Sequence, residues 1–126
     1  MKYDVSVAPP NSIILVVGSA SAEPPESMTG GLTSATSTCV AIGTLNEFDG
    51  ETSVKIDGGP LGEVPDGWTR RTHRLEGVDG AVKVVDVGWH ELLALPWALD
   101  ACNIVVDTDD DVEPSRIRLS IRAVVT

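Results

Sequence analysis

Residues 116–123 read Arg-Ile-Arg-Leu-Ser-Ile-Arg-Ala, so Arg116, Arg118, Ser120 and Arg122 alternate with Ile117, Leu119, Ile121 and Ala123. A period of two sends the two sets to opposite faces of a β-strand, whereas a helix would scatter both around its axis. One face of this strand is made for a core, and the other carries a row of guanidinium groups. The rest of the chain follows the same grammar. Gly and Pro cut it into short segments, the pattern of an all-β protein.

Tyr3, Val5 and Val7 alternate with Asp4 and Ser6, which predicts a half-buried first strand. Ser12 to Gly18 is almost continuously apolar and reads as a strand buried on both faces. Residues 20–35, rich in Ser, Pro, Thr and Gly, read as a long loop. Strands are expected over Thr36–Thr44, around Thr52–Ile56 after the Asp49-Gly50 turn, over Ala81–Val87 and over Ile104–Val106. Trp68–Glu76 is extended without an apolar face and reads as an edge strand or exposed arm. Trp89, Leu92 and Leu93 have helical spacing, so one short helix is expected near 89–95, stopped by Pro96. The expected fold is therefore an antiparallel, jelly-roll-like β-sandwich of about eight strands, with residues 1–126 forming one domain.

Charge narrows the range of partners. The chain has 126 residues, 9 Lys and Arg against 19 Asp and Glu, and a formal charge of -10. Phosphate backbones and anionic bilayers require a basic face, so neither nucleic acid nor membrane is expected as a partner. A basic protein is the complementary choice. Ile13–Val17 followed by Gly18-Ser19-Ala20-Ser21-Ala22 imitates a secretory leader. However, the apolar run is short, Pro9-Pro10 interrupts the approach and Asp4 offsets Lys2, so the expected location is cytoplasmic. Cys39 and Cys102 lie in apolar stretches and lack the surrounding Trp and Tyr of an immunoglobulin pair. They read as buried free thiols.

Three groups of residues are candidates for function. The first is Asp107, Asp109, Asp110, Asp111 and Glu113, crowded into seven residues. The alternation of Asp107, Asp109 and Asp111 imitates the opening of a calcium loop. Val112 stands where that loop needs its glycine, and Arg118 where it needs its bidentate glutamate. No metal is therefore assigned. The second group is the arginines, Arg70, Arg71 and Arg74 with Arg116, Arg118 and Arg122. These would bind an anion if left free, or pair with the protein's own acids across neighbouring strands. The third is Trp68 and Trp97, both beside turns and suited to anchor an interface.

No arrangement of nucleophile, base and acid is visible. His73 and His90 have no zinc-type spacing, and the glycine pairs lack a strand–loop–helix context. The functional expectation is a non-catalytic acidic binding protein without cofactor. It would act as an inhibitor or immunity-type partner of a basic protein such as a nuclease, through the five acids with Trp68 or Trp97. The alternatives are a calcium- or carbohydrate-binding sandwich module and a self-associating structural subunit, a homo-oligomer joined through the arginine strand.

Overall fold

The computed structural model describes residues 3–28 and 31–124, which form two packed five-stranded sheets. The strands in chain order are β1 (Asp4–Val7), β2 (Ile13–Val17), β3 (Thr33–Ala35), β4 (Cys39–Gly43), β5 (Thr52–Asp57), β6 (Thr69–Glu76), β7 (Ala81–Asp86), β8 (Glu91–Pro96), β9 (Ala101–Thr108) and β10 (Arg116–Arg122). One sheet has the order β1-β5-β10-β9-β6 and is called here the arginine sheet. The other, the valine sheet, has the order β3-β4-β2-β7-β8. The all-β sandwich expected from the sequence is thus present, with ten strands among the described residues rather than about eight.

The alternating patterns become the core. Val54 and Ile56 of β5, Ile117, Leu119 and Ile121 of β10, and Cys102, Ile104 and Val106 of β9 face inward from the arginine sheet. They meet Ile14 and Val16 of β2, Val40 and Ile42 of β4, Val82 and Val84 of β7, and Leu93 of β8. Each such side chain, fully buried, stabilises the fold by about 1.5–3 kcal/mol before conformational entropy is charged against it.

The apolar run of β2 is explained by a second cluster on the outside of the valine sheet. Leu15, Val17, Cys39, Ala41 and Val85 pack there under Ala22, with Ile13 and Met28 alongside. The covering segment is the first part of the expected 20–35 loop. It is tied down where Glu23 N donates to Thr38 Oγ1 at 3.0 Å and Thr36 Oγ1 donates to Glu23 O at 2.6 Å. The end of that expected loop is instead β3, an edge strand on β4.

Two further expectations are corrected. Residues 91–96 form strand β8, not a helix, because Trp89 adopts φ 64° and breaks any helical run. Tertiary burial of Leu93 then decides the strand. The sheets are also not wholly antiparallel, since β5 and β10 run parallel, with Ile117 opposite Val54 and Leu119 opposite Ile56. The β6 strand lies at the edge of the arginine sheet, as the Trp68–Glu76 pattern predicts.

Candidate functional site

Strand register, rather than loop position, decides what each charged residue faces. β9 lies between β6 and β10, which sets Asp107 directly between Arg70 and Arg118 on the outer face of the arginine sheet. Arg70 donates from Nε to Oδ1 at 2.7 Å and from Nη2 to Oδ2 at 3.0 Å. Arg118 donates to Oδ2 from Nε at 3.1 Å and from Nη2 at 2.8 Å. The Asp107 side chain has no exposed surface. Its burial by itself would raise its pKa, but the hydrogen bonds from the two guanidiniums outweigh that and hold it below the usual carboxylate value.

The arginines that remain are also used within the fold. Gly58 to Trp68 passes over this face as a strap. Arg122 Nη1 donates to Gly59 O at 2.7 Å, Arg70 Nη2 to Gly62 O at 2.8 Å and Arg118 Nη2 to Glu63 O at 3.0 Å. Trp68 closes the strap, with Arg116 and Arg118 Cζ at 5.4 and 5.9 Å from its ring centroid. Arg74 pairs with Glu76 at 3.3 Å, and Arg71 Nη2 lies 3.8 Å from Asp111. The six arginines therefore face their own chain, on carboxylates, strap carbonyls and an indole.

The five acids divide into three kinds. Asp107 is enclosed. Asp109 closes the β9–β10 loop on itself, accepting from Ser115 N, Ser115 Oγ and Arg116 N at 2.9, 2.7 and 3.0 Å. Burial works to raise its pKa, and these donors lower it overall. Asp110, Asp111 and Glu113 are exposed. Asp110 accepts the backbone N–H groups of Glu113 and Val112, which lower its pKa, and Asp111 accepts from Thr69 Oγ1. The calcium-like alternation therefore does not converge. Among the described residues no group of three or more His, Cys, Asp or Glu side chains is arranged to hold a metal.

A second acidic loop stands beside the first. Residues 44–51, joining β4 to β5, are fastened to Pro114, whose carbonyl accepts from Leu45 N at 2.9 Å and Thr52 Oγ1 at 3.1 Å. Glu47 is oriented by Asn11 N and Ser12 Oγ. The two loops place Asp49, Glu51, Asp110 and Glu113 at one end of the sandwich. Among the described residues, none of these four carboxylates is ion-paired. Phe48 and Val112 project from the same loops, 88% and 75% exposed. Neither was singled out from the sequence, although an aromatic residue between Glu47 and Asp49 in a turn is a legible signal.

Trp97, the other expected anchor, is half-buried against the core and donates from Nε1 to Ala101 O at 3.1 Å. It borders the β8–β9 turn, away from the acidic loops. His73 Nε2 meets Thr33 Oγ1 at 3.0 Å, and His90 Nδ1 lies 3.1 Å from both Asp86 oxygens. Among the described residues neither histidine completes a nucleophile–base–acid chain. Cys39 and Cys102 are free and buried, and burial pushes each thiol up to about 11. Cys39 lies in the outer cluster of the valine sheet and Cys102 in the core. No protein-family model, curated protein or solved structure matches this chain.

Proposed function

We propose that the protein is a non-catalytic binding protein whose acidic end docks onto a basic patch of another protein, in the manner of an inhibitor or immunity protein for a basic enzyme such as a nuclease. The observation that carries this reading is the pairing of Phe48 and Val112, both highly exposed, with the unpaired carboxylates Asp49, Glu51, Asp110 and Glu113 on two mutually hydrogen-bonded loops. Apolar side chains at the centre of an interface supply its binding energy, while a ring of one charge steers the encounter and rejects wrong partners. Because the loops are held by Asp109, Asp110 and Pro114, little ordering entropy is lost when a partner arrives.

The test replaces residues that hold nothing else in place. Wild type and a variant carrying Phe48→Ser, Glu51→Lys and Glu113→Lys are immobilised side by side in low salt against lysate of the source cell. The expected result is a basic protein retained by the wild type alone and released as salt is raised. A partner held equally by both forms, or none held by the wild type, overturns the reading.

A further inference from the structure

A tryptophan elsewhere in the molecule sits in a conformation that its residue type rarely adopts. Trp89, in the turn between β7 and β8, has φ 64°, although a glycine, Gly88, stands directly beside it. A left-handed turn position ordinarily goes to Gly, Asn or Asp, and a bulky residue there is a conformational outlier. The turn is nevertheless tightly built. Asp86 accepts from Gly88 N at 2.8 Å, from His90 N at 3.0 Å and from His90 Nδ1 at 3.1 Å, and Trp89 N donates to Asp86 O at 2.9 Å. Trp89 belongs to neither hydrophobic cluster and is 42% exposed. Strain held by a rigid surround, carrying a large side chain that stays partly exposed, points to a use for that side chain.

The indole borders a cavity of about 480 Å³ on the outer face of the valine sheet. Val17, Val85, Asp79, Lys83 and Glu91 line it together with the indole. Lys83 Nζ and Glu91 Oε1 are 3.1 Å apart and both side chains are about half exposed. A purely apolar ligand would leave these charges desolvated, and a charged ligand would meet one of its own sign. A neutral polyhydroxylated ring satisfies all of them. Its C–H face covers the indole, and neighbouring hydroxyls accept from the ammonium and donate to the carboxylates.

We propose that this face is a carbohydrate-binding site, with Trp89 as its stacking platform and Lys83, Glu91 and Asp79 as its hydroxyl partners. The site shares no residue with the acidic end and stands or falls separately from it. The probes are maltohexaose, cellohexaose and N-acetylchitohexaose, each titrated to about 10 mM against ¹⁵N-labelled protein. One of them is expected to shift the Trp89 indole N–H and the Val17 and Val85 amides saturably. Trp89→Asn suits the backbone and should keep the melting midpoint within about 5 °C, while weakening binding by at least about tenfold. Lys83→Met, at an exposed position, should weaken binding several-fold with the midpoint unchanged. Three results would each overturn the site: no saturable shift with any of the three sugars, binding that survives both substitutions, or binding that is lost in the Phe48, Glu51 and Glu113 variant but kept in Trp89→Asn.

Discussion

Asp107 carries more of this structure than any neighbour in its acidic run. It is a carboxylate without exposed surface between two guanidiniums whose side chains are 25% and 33% exposed. Removing one member of a buried ion pair leaves the other charges desolvated, which costs about 3–5 kcal/mol when burial is complete. Here the arginines reach solvent, so Asp107→Asn should cost about 2–3 kcal/mol and lower the melting midpoint by about 10 °C. Asp110→Asn is the control. Its side chain is exposed and accepts backbone N–H groups that an amide oxygen also satisfies, so its midpoint should fall far less. Equal effects from the two substitutions would refute the distinction drawn between them. From the sequence the two residues look alike, three positions apart in one acidic stretch. They differ because strand register supplies Arg70 and Arg118 to one and not to the other.

At the scale of elements, the strap Gly58–Trp68 shows what the arginine face is for within the fold. Its carbonyls accept from three arginines, and Glu63 in its middle is exposed. A glutamate-specific protease should therefore report how firmly it is held. Arg118→Met removes a carbonyl bond, a side of Trp68 and a partner of Asp107, and should speed cleavage after Glu63 by about an order of magnitude. Arg122→Met removes only the bond to Gly59 and should speed it less. If cleavage after Glu76 and Glu91 accelerated equally, the whole fold and not the strap would be opening. The alternation in β1, β5 and β10 made the sandwich legible, since a period of two depends on local sequence alone. Non-local contacts were not legible. The parallel pairing of β5 with β10, the strap over the arginines and the burial that draws Leu93 into a strand all join segments far apart in sequence. The acidic loop was visible as a cluster, but the Phe48 loop that completes the candidate surface reaches it only through Pro114.

For the whole molecule, a formal charge of -10 sets how stability answers to pH. Two limbs are expected, each with a definite sign. His73 has its pKa lowered from 6.5, first by burial and then by Arg71, so the unfolded chain takes up that proton before the native state does. Stability from this group is complete above 6.5 and declines as pH falls through that value. Asp107, Asp109, Asp86 and Asp110 have native pKa values below 3.8, so the unfolded chain also gains their protons first. Their contribution is complete above 3.8 and is lost as pH falls further, toward their native values. The acid limb is the steeper, because four groups add to it. Melting midpoints measured from pH 8 to pH 2 should thus fall gently from near 6.5 and sharply below about 4. His73→Gln should flatten the upper limb alone, and Asp107→Asn should make the lower one shallower. Salt separates a further contribution. At neutral pH, about 0.5 M NaCl screens the exposed carboxylates of the acidic end and should raise the midpoint, while leaving the enclosed Asp107 pairs nearly untouched. The salt increment should therefore survive Asp107→Asn and shrink when Glu51 and Glu113 become Lys. An increment abolished by Asp107→Asn instead would mean that screening acts on the arginine sheet, and that the unpaired carboxylates of the two loops do not strain the native state.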